Sequence, residues 1–340
     1  MAKRLALVLV LAVAGGCGAD PYAGKIKLRY MAWGNPEQLK LEEELCAEFN
    51  HQNPDLHVTF IKVPNSAYAN KAVVMFASRT APDVVRIDHY EFPRLVRKGY
   101  FYNLKPLADT DPEFKYADYV DLAIDEAKYQ GGWYGANTMY GAELIYYNKT
   151  MVRAAGLEDP YVLHKRGEWT WDKFREYALA MTKVDKSGRT VQFGCEIPLF
   201  PMETPVLWAF GGAMLSDDQS HVLVGSPGTI KAYEFLAGLR WKDKVAPTPA
   251  QASNAGYTFE GGQIGMVLNW SGMTPRYRAA AKGFEWDVCP LPTGPAGGKS
   301  MVKGNQLVVA KESKHPAEAW RFVKFLTSDA TERKLYIENR

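Results

Sequence analysis

The first hundred residues after the N-terminus alternate between short apolar runs and amphipathic segments. Three of the runs have the length and apolar character of strands: Lys25 to Met31, Val58 to Val63 and Asp83 to Ile87. Between the first two, Leu41, Leu45 and Phe49 recur at helical spacing. Strands that alternate with helices predict an α/β fold built on a parallel-rich sheet.

A run at the middle of the chain, Leu144 to Tyr147, is β-prone and looks buried. A short helix is predicted directly after it, from Lys149 to Ala155, and Gly156 stands where a left-handed C-cap residue fits. Small, flexible residues precede the strand, and Tyr140 lies among them next to Gly141. We interpret the stretch as a crossing between two lobes, with the Tyr140 ring at the crossing.

A helical stretch is predicted around Tyr116 to Tyr129. Two amphipathic helices are predicted in the second half of the chain. Thr170 caps the first, and its core positions are Phe174, Tyr177, Ala178 and Met181. Ser226 and Pro227 begin the second, and three of its residues are predicted to face inward: Ile230, Tyr233 and Ala237.

Polar and aromatic residues follow several predicted strands. Trp33 follows the first strand, Asp88 and His89 follow the third, and Trp270 follows a strand at Gly265 to Leu268. In open α/β sheets, ligands bind beyond the carboxyl ends of strands. These side chains are therefore candidate ligand contacts.

Composition and charge exclude some classes of protein. The chain has 340 residues, which is long enough for two domains, and is 47% hydrophobic and 23% charged. Its 41 basic and 38 acidic residues give a net charge of +3 without a basic cluster, which argues against nucleic-acid binding. The 9 Trp, 19 Tyr and 15 Phe residues fit large core side chains, stacking surfaces for flat apolar ligand faces, or both.

The N-terminus has the pattern of a targeting segment. Lys3 and Arg4 precede an apolar run, Leu5 to Val13, that is too short to span a bilayer. Small residues then lead directly to Cys17, as at a bacterial lipoprotein cleavage site. We predict that residues 1–24 are a signal peptide and tether, with Cys17 as the lipidated residue. Ordinary signal-peptide cleavage beside an incidental cysteine is the alternative.

Motifs for catalysis, metal binding or cofactor binding are not found in the sequence. Cys46, Cys195 and Cys289 lack the spacing of a metal site or a disulfide framework, and they are predicted to be small buried apolar residues, with one disulfide as the alternative. Gly298-Lys299-Ser300 resembles the end of a phosphate-binding loop, but Thr293 occupies the position that requires glycine. No catalytic residue, metal or cofactor is predicted. A pair of carboxylates for glycoside cleavage has no sequence motif, because the two groups come together only in the folded protein.

The serial order of several motifs resembles extracellular solute-binding proteins of carbohydrate ABC importers, of the maltose-binding kind. The motifs, in chain order, are Ala81 to Val85, Tyr146 to Lys149, Ala154 to Leu157, Trp169 to Phe174, Asn269-Trp270, Val302 to Val309 and Lys314 to Leu326. The resemblance covers nearly all of residues 25–330, and it assigns Val302 to Val309 as a second crossing.

The resemblance implies a two-lobed periplasmic-binding-protein fold, each lobe a sheet flanked by helices, joined by hinge strands that allow closure on a ligand. The N-terminal lobe would comprise residues 25–142 and 303–340, and the C-terminal lobe residues 143–302. Members of this family usually continue with several more helices. The end of the chain at Arg340 therefore leads us to expect either a truncated gene product or a second lobe that is completed in another way.

The resemblance also implies a function: capture of a sugar or oligosaccharide in a cleft between the lobes and delivery to ABC permease subunits. The expected ligand contacts are Trp33, Asp88, His89, Tyr140, Trp208, Trp270 and Asn305. The aromatic residues would stack on the sugar and the polar ones would bind its hydroxyl groups, while Trp208 fits a core position equally well. We expect an exported, lipid-anchored monomer that faces the periplasm or cell exterior and has no enzyme activity. The alternatives are an exported carbohydrate-active enzyme and a sensory or structural glycan-binding lipoprotein.

Overall fold

The computed structural model describes residues 20–34, 36–197, 202–218, 220–252 and 257–334. Strands β1 to β11 of this part are, in chain order, Ile26–Trp33, Leu56–Val63, Val84–Ile87, Lys128–Tyr129, Gly132–Trp133, Ala136–Asn148, Lys183–Val184, Thr190–Glu196, Ile264–Trp270, Trp286–Cys289 and Val302–Val309. Helices α1 to α14 are Pro36–Gln52, Asn65–Ala77, Phe92–Arg97, Lys105–Thr110, Asp121–Asp125, Lys149–Ala154, Pro160–Lys165, Trp171–Met181, Thr204–Ala209, Pro227–Ala237, Pro249–Ala252, Thr274–Ala280, Pro316–Leu326 and Asp329–Arg333. Cys17, the predicted lipidation site, lies outside the described residues.

The chain divides into two compact units. Within the described residues, unit 1 consists of 20–138 and 306–334, and unit 2 consists of 139–305. The chain passes from one unit to the other within β6 and again within β11. These are the two stretches that the sequence analysis interprets as crossings.

Unit 1 is built on a sheet with the strand order β2-β1-β3-β11. β1 runs parallel to both neighbours, with Tyr30 opposite Val84 of β3. β11 is antiparallel to β3 and places Val308 opposite Val85. Helices α1 and α13 pack together on this unit through ring contacts such as Phe49 with Phe322, whose centroids are 4.9 Å apart. The predicted α/β architecture, with parallel strands and flanking helices, is confirmed for this unit.

One helix predicted in unit 1 is largely replaced by other elements. The sequence suggests helical structure around Tyr116 to Tyr129, where the structure has a short 3₁₀ turn, the five-residue α5 and the first strand of a hairpin. Gln130 and Gly131, with φ of 45° and 79°, form the two-residue turn between β4 and β5. Two successive residues with positive φ match the twist of a tight hairpin, so the chain ends its helix earlier and turns back.

Unit 2 is built on a mixed sheet. β9 lies between β6 and β8, antiparallel to β6 and parallel to β8, and β10 pairs with the other edge of β6. The side chains of β6 alternate between two cores: Ile145 and Tyr147 pack on one face of the sheet and Tyr146 on the other. Apolar residues on both faces explain why this run of the sequence looks continuously buried.

The first predicted helix of unit 2 is confirmed. The Thr170 hydroxyl caps α8 by accepting a 3.1 Å hydrogen bond from the Lys173 amide. The four predicted core residues, Phe174, Tyr177, Ala178 and Met181, are all buried.

The inward face predicted for α10 is wrong. Ile230 and Tyr233 are 47% and 39% exposed, and Ala237 is also exposed. The buried residues of this helix are instead Thr229, Ala232 and Leu236. The Thr229 hydroxyl accepts a hydrogen bond from the Ala213 amide at 3.1 Å and donates one to the Ala213 carbonyl at 3.0 Å. These polar contacts with the preceding loop set the rotation of the helix.

The remaining cysteines behave as small core residues. Cys46, Cys195 and Cys289 are buried and free, so the alternative of a disulfide among them is contradicted. At the N-terminus, Tyr22 of the predicted tether stacks on His57 with ring centroids 3.4 Å apart, so this part of the tether packs on unit 1. No helix in the described ranges is both long enough and apolar enough to cross a bilayer.

Candidate ligand site

The seven residues predicted to contact a ligand divide between the two units. Unit 1 contains Trp33, Asp88 and His89, and unit 2 contains Tyr140, Trp208, Trp270 and Asn305.

In unit 1, Trp33 is the last residue of β1, and Asp88 directly follows β3. Because β1 and β3 are neighbouring parallel strands, both positions lie at the carboxyl edge of one sheet. The half-buried Trp33 ring is tilted by 49° against the ring of Tyr68, at a centroid distance of 4.5 Å. The structure therefore brings these two predicted contacts to the same sheet edge.

A buried ion pair lies beneath Trp33. Arg86 of β3 pairs with Glu42 of α1, and both side chains are 6% exposed. The Tyr30 hydroxyl donates a 3.0 Å hydrogen bond to the Glu42 carboxylate. The Arg86 guanidinium lies 5.4 Å from the centre of the Trp33 ring, and its Nη1 donates to the Trp33 carbonyl at 3.3 Å. We infer that this network fixes the position of Trp33.

Asp88 and His89 contact one another. His89 Nδ1 lies 2.8 Å from Asp88 Oδ1, which also accepts a 3.1 Å hydrogen bond from the Tyr90 amide. Next to them, Gln306 of β11 sits opposite Ile87 and is 1% exposed. Neither polar atom of the Gln306 amide group has a hydrogen-bond partner among the described residues. Sequence analysis did not select Gln306.

In unit 2, Trp270 is the last residue of β9 and is half-buried. The Lys303 ammonium of β11 lies 4.1 Å from the centre of its ring, which is a cation–π contact. Lys303 therefore occupies one face of the Trp270 ring, and a ligand would stack on the other face.

The residue opposite Trp270 in the β6–β9 pairing is Glu143, which is 0% exposed. Its main chain is fixed, because its amide donates to the Met301 carbonyl at 3.1 Å and its carbonyl accepts from the Ser300 hydroxyl at 2.8 Å. Neither carboxyl oxygen has a hydrogen-bond partner within the described part of the chain. Burial raises the pKa of Glu143 to about 8, against the opposing effect of the Lys303 charge.

A second buried carboxyl group, that of Glu203, precedes α9 and is 4% exposed. One of its oxygens accepts a 3.2 Å hydrogen bond from the Tyr233 hydroxyl, and the other has no partner among the described residues. Its charge acts on Glu143 by raising the pKa of that residue further. Among the described residues of unit 2, three buried carboxyl oxygens of Glu143 and Glu203 have no hydrogen-bond partner and can accept hydrogen bonds from a ligand.

The other predicted residues of unit 2 are partly exposed. Tyr140 of β6 and Asn305 of β11 are half-buried near the two chain crossings. Trp208 on α9 is half-buried and, among the described residues, belongs to neither buried core of unit 2.

These groups favour a ligand that donates hydrogen bonds and has apolar faces. Carboxyl oxygens accept from hydroxyl groups, and aromatic rings pack against C–H surfaces. In the described ranges, no three His, Cys, Asp or Glu side chains are arranged to hold a metal ion. A polyhydroxylated ligand therefore suits these side chains.

Residues 33–333 match the sequence model of one family, the bacterial extracellular solute-binding proteins. The chain belongs to this family. The resemblance inferred from the motif order is confirmed. The predicted fold class is confirmed as well, since the solved relatives share the two-lobed α/β architecture.

Relatives of this solute-binding protein include proteins of known and unknown ligand. It is 25% identical to the "Uncharacterized lipoprotein in oleD 5' region" of Streptomyces antibioticus, over 95% of this chain and 71% of that protein. It is 23% identical to the arabinooligosaccharide-binding protein of Bacillus subtilis, over 97% of this chain and 76% of the relative. An ABC substrate-binding protein from Listeria monocytogenes, solved in complex with cycloalternan, matches with a TM-score of 0.83 and 25% identity, covering 93% of this chain and 78% of that one.

Proposed function

We propose that this solute-binding protein captures a sugar or oligosaccharide and delivers it to the permease of an ABC importer. The observation that carries the proposal lies in unit 2, where Trp270 is directly opposite Glu143 in the β6–β9 pairing. Both buried carboxyl oxygens of Glu143 and one of Glu203 have no hydrogen-bond partner among the described residues. A sugar supplies hydroxyl donors for these oxygens and a C–H face for the ring. Relatives named for arabinooligosaccharide and maltotriose binding support the same class of ligand.

The residues assigned to the site are part of this proposal. Trp33, Tyr140, Trp208 and Trp270 would offer aromatic faces. The hydroxyl groups would be bound by Asp88, His89 and Asn305 and, as additions from the structure, by Glu143, Glu203 and Gln306. The expectation that the ligand lies in a cleft between the lobes stays a prediction.

A thermal-shift screen with purified protein tests the proposal. We expect a neutral oligosaccharide from a panel of maltotriose, arabinotriose, mannotriose and cycloalternan to raise the melting temperature. Saturation at about 100 times the dissociation constant stabilises a protein by roughly 2.7 kcal/mol, which such a screen detects easily. A panel of amino acids at the same concentrations is the control. Stabilisation by an amino acid but by no sugar, or release of shorter products from a glycan, would contradict the proposal.

We further propose that the protein is exported and anchored to the membrane by lipid on Cys17, consistent with the lipoprotein among its relatives. Replacing Cys17 by alanine should move the protein from the membrane pellet to the soluble fraction, because the acylated side chain would be lost. Fractionation after a salt wash, with detection by antibody, measures this. Cys46→Ala is the matched control and should stay in the pellet. Retention of the Cys17→Ala variant on membranes would show that the anchor lies elsewhere.

A further inference from the structure

We propose that Glu143 couples ligand binding to proton release, because ligand hydroxyl groups donate hydrogen bonds to its carboxylate and the ionised form is the one that binds. The inference rests on the proposed sugar-binding function and adds to it a residue and a pH dependence. Neither the family match nor the relatives assign a role to this side chain.

Glu143 lies at the end of a row of core side chains on β6, opposite Trp270 of β9. Side chains two residues apart on a strand share a face, and Glu143 continues the row of Ile145 and Tyr147, which face the larger core of unit 2. It is directly opposite Trp270 on β9, and directly opposite side chains also share a face. A carboxyl group thus occupies the end of an apolar row, beside a ring proposed to contact the ligand.

The carboxyl group of Glu143 has no hydrogen-bond partner among the described residues. A buried carboxylate is normally paired or hydrogen-bonded, because removing its charge from water is costly. Both oxygens of Glu143 are buried and accept no hydrogen bond from any described residue. The nearby Lys303 ammonium lies over the Trp270 ring. The group is therefore in a position that a ligand with hydroxyl donors would complete.

Residues from β11, from the segment before α9 and from β9 surround Glu143 and influence its ionisation. Lys303 on β11 favours the ionised form, and Glu203 before α9 opposes it. β9 contributes Trp270, which does not titrate. Tyr233 contacts Glu203 rather than Glu143. Burial is the largest influence, and it raises the pKa of Glu143 from its ordinary value of 4.5 to about 8.

The sign of the pH dependence follows from these surroundings. In the unliganded protein below about pH 8, Glu143 holds a proton. Hydrogen bonds donated by a ligand favour the charged form and lower the pKa, so binding releases that proton. Affinity should then rise with pH by up to about tenfold per unit and level off above the unliganded pKa.

The binding test is calorimetric titration with maltotriose, or with arabinotriose where maltotriose gives no heat. Titrations in phosphate and in Tris at pH 7 differ in buffer ionisation heat and so count the protons released. We expect close to one proton per ligand at pH 7 and close to none at pH 9.5. Glu143→Gln should release none, show an affinity independent of pH, and bind at least tenfold more weakly than the natural protein at pH 9.5.

A matched control variant is Glu196→Gln. Glu196 also lies in unit 2 and burial raises its pKa, but the charges that act on it are Glu260 and Arg240. This variant should keep the proton release and the pH dependence of the natural protein. A general effect of removing a buried carboxyl group would appear in both variants.

A second measurement needs no ligand. Folding raises the pKa of Glu143 from 4.5 to about 8. The protonated carboxyl group therefore contributes its full share of stability below pH 4.5, the pKa in the unfolded chain, and this contribution is lost as the pH rises toward about 8. The natural protein should therefore melt at a lower temperature than Glu143→Gln at pH 8.5, and this difference should vanish or reverse at pH 5.

The outcomes separate this inference from the proposed function. Sugar binding without proton release, or proton release that persists in Glu143→Gln, would overturn the role of Glu143 and leave sugar binding intact. If no sugar binds at any pH while the unliganded melts still show the Glu143 titration, the proposed function fails and the coupling fails with it.

Discussion

Replacing Glu42 by alanine is expected to lower the free energy of unfolding by about 3–5 kcal/mol, the usual cost of breaking a buried ion pair. Both members of the Glu42–Arg86 pair are 6% exposed, so the variant leaves a guanidinium in a core without its counterion. The Tyr30 hydroxyl, which donates to the Glu42 carboxylate at 3.0 Å, loses its acceptor as well. Urea unfolding followed by tryptophan fluorescence measures the change.

The matched control is the double replacement Glu42→Leu with Arg86→Met. Removing both charges with apolar side chains of similar size leaves no uncompensated charge, so this variant should recover most of the stability lost by Glu42→Ala. A loss for the double variant as large as for the single one would mean that shape, rather than the unpaired charge, explains the effect. Because Arg86 lies 5.4 Å from the Trp33 ring, the double variant also tests whether Trp33 needs that cation to bind sugar.

Most elements could be predicted from the sequence, because their signals are local. Apolar runs of strand length identified β1, β2, β3 and the core of β6. Gly156 has the positive φ of 70° that its position after α6 suggests. The Thr170 cap and the core face of α8 also follow from the spacing of residues within one helix.

The face of α10 could not be predicted in this way. Ile230 and Tyr233 are more apolar than Thr229, so hydrophobicity selects the wrong face. The orientation depends on the Ala213 loop, whose backbone makes two hydrogen bonds with the Thr229 hydroxyl. It also depends on a close approach, since a Cβ on Gly228 would lie 2.4 Å from the Gly211 carbonyl carbon. Both contacts join segments that sequence periodicity treats as independent.

Charged residues inside strands were the signal that sequence analysis missed. Arg86 interrupts an apolar strand, and Glu143 continues the alternation of Ile145 and Tyr147. A charge at such a position indicates either a buried pair or a ligand contact. The structure separates the two cases, because Arg86 pairs with Glu42 whereas the oxygens of Glu143 have no described partner.

Replacing Trp270 by alanine is expected to weaken sugar binding by about 2–4 kcal/mol, as for a binding hot spot. That is roughly thirty-fold to several-hundred-fold in affinity. The loss has two sources. The first is the aromatic face that packs on the sugar, which contributes on the order of 1 kcal/mol beyond the buried area. The second is the cation–π contact between the ring and Lys303. The Lys303 ammonium lies 4.1 Å from the ring centre, so truncation of the ring also frees this cation to move.

Two further variants make the test specific. Trp270→Phe keeps a ring face for both the sugar and Lys303 and should retain much of the affinity. Trp241→Ala removes a tryptophan of the same unit that is 62% exposed and takes no part in the proposed site, so it should bind as the natural protein does. Calorimetric titration with the sugar found in the thermal-shift screen measures all three variants.

A melt of the unliganded Trp270→Ala variant decides between a ligand contact and a core residue. Trp270 is half-buried at the end of β9, and it belongs to neither hydrophobic core of unit 2 within the described residues. Its removal should therefore lower the unliganded melting temperature far less than truncation of a core tryptophan such as Trp169, which is 1% exposed. If Trp270→Ala loses stability as Trp169→Ala does, or binds sugar with near-normal affinity, Trp270 does not belong to the ligand site. A different aromatic residue would then have to stack on the sugar that Glu143 is proposed to bind.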